Sequence, residues 1–383
     1  MALYAFDGTG DRWDPPGTRI DRLDLRRLTG AQRTELLGSI TPTARNSNQR
    51  YLTHVPLFFR QVVEAGQHAE YFPGVGSGAW FETELGQTLD FAIGGLFGVG
   101  ARGIVKAALK RLKRNIREFN DTTIDIVGYS RGAAIACLFA RESCRQFRRL
   151  ELEAPPKIRF VALMDTVASF GNPFNDNELF FDPVLPFTVN SAVHAMAYDH
   201  NRPGFGLDRV YGNHVMEVWF RGGHGDIGGN ATRGDGQPNR LRTNIVFQFL
   251  CRKAQAAGVE INLDQLEAVH PVDFDAPLSV HNPDPPPVRP QGQVDRSRQI
   301  RRADILHHSI FQDQQPRLLI DAHRGIPVTT NKPLGPRSQY VIEEPSNERQ
   351  TQDQRILQLT PELSRAYPTT KAVYDALYAA RRS

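Results

Sequence analysis

Residues 123–136 read TIDIVGYSRGAAIA, and no other stretch restricts so strongly what the chain can fold into. A β-branched run leads into G-x-S-x-G, and small residues open a helix directly after it. That order requires a strand, a sharp reversal with Ser130 at its apex, and a helix packed back on the strand. Gly128 and Gly132 serve the reversal because strand and helix backbones come too close there for side chains. The serine hydroxyl is lifted clear of the sheet, and the N–H of Arg131 points where an oxyanion would form. G-x-S-x-G alone arises often by chance. The apolar strand before it and the Ala-rich helix after it turn the pattern toward an acyl hydrolase. The plain alternative is a Gly-rich turn that carries a surface serine.

The rest of the chain alternates strand and helix in the manner of an α/β, mostly parallel, doubly wound sheet. Strands are expected at 3–6, 69–72, 158–164 and 215–220, and helices at 48–64, 103–118, 131–150, 191–198 and 239–257. A Pro/Phe/Asn-rich stretch follows 164, and a lid or cap insertion is expected over 170–212. Residues 282–290 are Pro-rich and read as an extended linker. The catalytic domain is expected over 1–325, with 326–383 a C-terminal extension packed on it and a last helix near 361–380.

A serine nucleophile needs a base and an acid to orient that base. In α/β-hydrolase order these follow as Asp/Glu and then His. Asp165 and Asp226 each stand just past a strand. The acid usually comes from the later one, which favours Asp226 and leaves Asp165 as the alternate, with a turn-capping role if it is not the acid. The base is sought after the last strand, in ILHHSIF at 305–311. His307 is preferred and His308 is the alternate. An extended backbone would send these two side chains to opposite faces, so that only one could serve. His224 comes too early in this order and is expected to brace the Asp226 loop. As an H-x-D pair, His224 and Asp226 offer only two ligands from one loop, which does not make a metal site. The second oxyanion donor is expected from the glycine loop after the first strand, at Gly8 or Thr9.

Composition narrows the partners. The 383 residues carry a net charge of +4, with 40% hydrophobic and 23% charged side chains, ordinary values for a soluble chain. The basic clusters lack the interleaved aromatics of a nucleic-acid platform, so no nucleic-acid partner is expected. Transient attraction to an anionic membrane surface is compatible with them. Three cysteines, Cys137, Cys144 and Cys251, form no C-x-x-C and no paired framework. The longest apolar stretch, 91–101, is too short and Gly-rich to span a bilayer; it packs in a core or lines an acyl-binding surface. No basic n-region followed by an apolar run opens the chain, which is the expectation for a protein cytoplasmic in its producing cell. No cofactor is called for.

Six motifs occur in one order: FDGTGD at 6–11, FPGVGSG at 72–78, VGYSRGAA at 127–134, MDTVASFG at 164–171, VHAMAYDHNR at 193–202 and EVWFRGGHGDIGGN at 217–230. The set resembles an uncharacterised α/β-hydrolase family that includes the type VI secretion phospholipase effectors, over about residues 3–310. The chain departs from the family pattern at Asp11 (usually Asn), Met164 (Trp), His200 (Glu) and Asn230 (Gly). The resemblance implies Ser130 as nucleophile, Asp226 as acid and His307, in the later H-x-S, as base. It implies a lipid or phospholipid acyl ester as substrate, cleaved through an acyl-enzyme. It also implies export by a type VI apparatus, with a carrier on that apparatus and an immunity protein as partners. The chain shows no large membrane-associating C-terminal region, so ester hydrolysis is a firmer expectation than attack on intact bilayers. A soluble carboxylesterase or thioesterase, and a catalytically silent binding protein of the same fold, stand as the other readings.

Overall fold

The computed structural model describes residues 1–17, 23–77, 98–168, 182–199, 206–233, 235–276, 298, 300, 304–311, 318–320, 327–329, 334, 336–350 and 354. Its centre is an eight-stranded sheet in the order β2-β1-β3-β4-β5-β6-β7-β10. The strands are β1 (Ala2–Phe6), β2 (His68–Phe72), β3 (Thr123–Tyr129), β4 (Lys157–Met164), β5 (Ala192–Ala197), β6 (Val215–Phe220), β7 (Ile305–His307) and, past a short hairpin of β8 (Leu318–Ile320) and β9 (Pro327–Thr329), β10 (Val341–Glu343). Every pairing in the large sheet is parallel. A parallel sheet must be covered on both faces, and it is. On β1, Leu3 and Ala5 enter one core while Tyr4 and Phe6 enter the other, the period-2 alternation of a strand.

Helices α2 (His54–Glu64) and α6 (Arg240–Ala256) close the first face, through Val55, Phe58, Phe247 and Leu250 among others. Helices α3 (Gly98–Phe119) and α4 (Arg131–Arg145) close the second, through Ile104, Leu112, Ile135 and Phe139. The short α1 (Gly30–Gly38), α5 (His224–Gly228) and α7 (Leu263–Val269) complete the helices used below. Strand order reverses around β1, which lies between β2 and β3. In open α/β sheets the crevice outside the carboxyl ends at such a reversal is where ligands bind. The loop at 7–11 and Ser130 flank that crevice.

Several expectations change. Residues 191–198, expected as a helix, form the central strand β5. Ala, His and Met favour helix or are neutral to it. Yet every residue of AVHAMA is buried between β4 and β6, and tertiary pairing overrides that preference. The range 170–212 therefore contains a core strand and is not a lid throughout; 169–181 and 200–205 lie outside the described residues. The helix expected from 48 starts at His54, because Thr53 caps it by accepting the Val55 N–H at 3.2 Å. The linker at 282–290, most of the 91–101 stretch and the final helix at 361–380 also fall outside the described residues. Among the described residues, no helix is long and apolar enough to cross a membrane.

Candidate active site

The turn after β3 has the shape the sequence requires. Ser130 takes φ 57° and ψ −125°, a sparsely populated conformation that costs on the order of 1–3 kcal/mol. The glycines around it permit the close approach. A Cβ on Gly128 would stand 2.6 Å from the Gly132 carbonyl, and one on Gly132 would stand 2.3 Å from that of Asp7. The Ser130 N–H is held by the Met164 carbonyl at 2.9 Å, which ties the turn to the end of β4.

Three side chains meet there. His224 Nε2 lies 2.8 Å from Ser130 Oγ, and His224 Nδ1 lies 2.6 Å from Asp165 Oδ2. Asp165 directly follows β4, the neighbour of β3. His224 follows β6 and opens α5. Asp165 is wholly buried and accepts three further hydrogen bonds. The Ala197 N–H donates to its Oδ1 at 2.8 Å, and the Arg298 guanidinium spans both carboxylate oxygens at 2.8 and 2.9 Å while also donating to the Ala197 carbonyl. Burial pushes the Asp165 carboxyl upward, but the charges of Arg298 and His224 outweigh it and hold the group well below the usual carboxylate range. Burial lowers the pKa of His224, Asp165 opposes that, and Arg298 adds to it; the net direction is down. A neutral imidazole thus stands between a serine hydroxyl and an ionised carboxylate, an arrangement that can take the hydroxyl proton. Tyr129 lies beneath it, donating to the His224 carbonyl at 3.2 Å with ring centroids 4.7 Å apart.

This arrangement differs from the expected one at two residues. Asp226 does not face the imidazole. Its Oδ2 accepts the Gly223 N–H at 2.9 Å, so it closes the turn that presents His224, as a third-position carboxylate does at a helix start. His307 does not approach Ser130. β7 lies four strands from β3, about 19 Å at the usual strand spacing. The His307 ring stacks on Phe220, and its Nε2 meets Glu348 Oε1 at 2.9 Å. His308 stands beside it, 3.3 Å from the same oxygen. These two imidazoles were expected to diverge. They converge because β7 ends at His307 and a 3-10 turn begins at His308, which breaks the strand alternation. The alternate acid, Asp165, is the one the structure joins to the site.

The glycine loop is held by Asp7, which accepts the Gly8 N–H at 2.8 Å, the Thr53 hydroxyl at 2.6 Å and the Tyr71 hydroxyl at 2.5 Å. Gly8 N–H is therefore engaged. Thr9 lies beside the elbow, its hydroxyl accepting from Arg131 Nη1 at 3.1 Å. The missed residues were His224 and Arg298. The order Ser130, Asp165, His224 obeys the rule already used, with Ser130 and Asp165 directly after strands and His224 after β6, where α5 opens, so that signal was present. Arg298 carried none.

An α/β sheet with a Ser–His–Asp hydrogen-bonded chain at the carboxyl ends of its strands defines an α/β-hydrolase-like protein. Residues 138–253 match the family described as T6SS, phospholipase effector Tle1-like, catalytic domain, a stretch that includes Asp165 and His224. No curated protein matches. Among solved structures, the Tle1 effector bound to the VgrG spike of the type 6 secretion system is 21% identical, with a TM-score of 0.37, over 61% of this chain and 51% of that one. An uncharacterised protein from Pseudomonas aeruginosa is 18% identical, with a TM-score of 0.41, over 71% of this chain and 48% of that one. The aligned region spans about half the length of each.

Proposed function

We propose that the protein is a serine hydrolase that cleaves an acyl ester of a phospholipid or related lipid, with Ser130 as nucleophile, His224 as base and Asp165 as orienting acid. The observation that carries this is the continuous chain from Ser130 Oγ through both nitrogens of His224 to Asp165. Ser130 Oγ attacks the ester carbonyl as its proton passes to His224 Nε2. The carbonyl π pair moves to oxygen. Asp165 stabilises the imidazolium, and Arg298 keeps Asp165 ionised and aligned. The oxyanion is received by the N–H of Arg131 and that of Thr9, since Gly8 N–H already serves Asp7. Collapse of the tetrahedral intermediate expels the alcohol portion, which leaves with the proton from His224. Water, deprotonated by the same imidazole, then releases the fatty acid and restores Ser130.

The family match supports a lipid substrate and delivery through a type VI apparatus; a carrier on that apparatus and an immunity partner rest on the sequence resemblance alone. Fluorophosphonate labelling and fatty-acid release from phospholipid vesicles test the enzymatic reading. Wild type should be labelled at Ser130 and hydrolyse vesicle lipid. Ser130→Ala, Asp165→Asn and His224→Gln should each lose activity by a factor on the order of 10³–10⁴. Asp226→Asn, which keeps an acceptor for Gly223, should retain most of it. Hydrolysis confined to short water-soluble esters would reassign the substrate class. An unlabelled, folded wild type would remove the enzymatic reading altogether.

A further inference from the structure

The convergence of His307 and His308 has no part in the Ser130 site. Both Nε2 atoms point at one oxygen, Glu348 Oε1, at 2.9 and 3.3 Å. One donor atom from each of the three residues lies within 4.8 Å of the others, and all three residues are buried. A tetrahedral zinc with bonds of about 2.0–2.2 Å places its ligand atoms about 3.3 Å apart, so an ion fits among these donors with small side-chain movement. The surroundings are those of a ligand set. Arg252 Nη1 holds the other carboxylate oxygen, Oε2, at 2.5 Å, which presents Oε1 as a single donor. Ser309 Oγ lies 2.7 Å from His307 Nδ1, the outer hydrogen bond that fixes the ring of a metal-bound histidine. Phe220 and Phe249 pack on that ring. A cavity of about 300 Å³ touches all three residues, while Ser130, Asp165 and His224 are not among its walls. The neighbouring cations are matched by carboxylates: Lys253 lies 2.6 Å from Glu343, and Arg252 is shared between Glu348 and Glu267.

We propose that His307, His308 and Glu348 form a divalent transition-metal site, suited to zinc, with the fourth position filled by water from the cavity. Two imidazoles and one carboxylate are borderline donors that favour zinc over magnesium or calcium. The ion joins the end of β7 to the segment after β10, two pieces of chain 40 residues apart at the edge of the sheet. Each imidazole would bind through Nε2 as the neutral ring, with its one remaining proton carried on Nδ1. The site is independent of the esterase reading and is tested without an activity assay.

Chelator-treated, dialysed full-length protein is titrated with zinc chloride in a calorimeter, with magnesium and calcium chlorides as comparisons. Wild type should take up one zinc per chain with submicromolar affinity and show no comparable uptake of the other two. Loss of an outer-shell partner alone costs 10–100-fold in metal affinity, so Glu348→Gln and His308→Gln should each weaken binding on the order of 10²-fold or more. His224→Gln should leave it unchanged. X-ray absorption of the zinc-loaded wild type covers the case in which a variant does not fold. Scattering from two imidazoles with oxygen neighbours supports the site. Sulfur ligation or a single imidazole overturns it, as does a wild type that binds no zinc or folded variants that bind it as well.

Discussion

Arg298 illustrates how much one residue contributes to the Ser130 site without touching a substrate. Its planar guanidinium makes paired bonds to both oxygens of Asp165, a geometry that lysine does not reproduce. It fixes the carboxylate that orients His224, and its charge disfavours protonation of that imidazole. The sign follows. With Arg298 present, His224 titrates below the ordinary imidazole range near 6.5, so activity rises with pH through that lower region and is level above it. Arg298→Gln removes a positive charge, raises the imidazole pKa and moves the acidic limb of kcat/KM to higher pH. The loosened carboxylate should also lower kcat on the order of 10²-fold with little change in KM. Arg298→Lys should restore the position of the limb better than it restores kcat. A merely structural residue would lower the amount of active enzyme and leave the pH profile in place; a full pH–rate series on phospholipid micelles separates the two.

At the scale of elements, the strand–turn–helix unit at 123–145 was legible because its requirements are local. Gly132 shows how tightly the unit is joined to the rest of the sheet. A Cβ there meets the carbonyls of Phe6 and Asp7 at 2.4 and 2.3 Å, and neither can retreat, since β1 is paired on both sides. Gly132→Ala should cost about 3 kcal/mol, read as a lower urea midpoint at unchanged slope. It should also abolish activity, because α4 can yield only by displacing the turn that carries Ser130. A variant of wild-type stability would show that helix and strand do not approach as described. The element around His224 was misread for a physical reason. In G-G-H-G-D, sequence shows two groups able to fill a triad position, and only the three-dimensional turn shows which projects inward. Asp226 folds back onto Gly223 N–H, and His224 faces Ser130.

Taken as a whole, the molecule carries an unfavourable charge pair near its centre. Asp7 and Asp11 are both buried at the mouth of the site. Burial raises Asp7 to about 6, and burial together with the charge of Asp7 raises Asp11 to about 7. An unfolded aspartate titrates near 3.9. The folded state therefore holds these protons more tightly, and their stabilising contribution is complete below about pH 3.9. It is lost as pH rises through about 7. Asp11→Asn removes one charge and keeps an oxygen for Asn230 Nδ2, which now donates to Asp11 Oδ1 at 3.3 Å. Its Tm should exceed that of wild type by more at pH 8 than at pH 5, by a few degrees. A gap that stays constant or narrows with pH would mean that Asp11 does not carry this burden. Asparagine is also the residue the family pattern favours at this position.

The sequence by itself determined the parallel α/β sheet, the elbow, the place of Ser130 at its apex and the family resemblance. Each rests on local signals: β-branched runs, glycines at a tight turn, motifs a few residues long. Tertiary structure decided the partners of Ser130. Asp165 and His224 lie 35 and 94 residues along the chain from Ser130, and which acid and which histidine arrive there depends on strand order and on how each loop folds back. The same holds for β5, whose residues favour helix locally yet are buried as a strand between two others. It holds also for Arg298, which reaches the acid from 133 residues away, and for His307 and His308, brought to one carboxylate where β7 ends. Local preferences act over a few residues, whereas strand order and loop closure are settled by burial of the whole sheet.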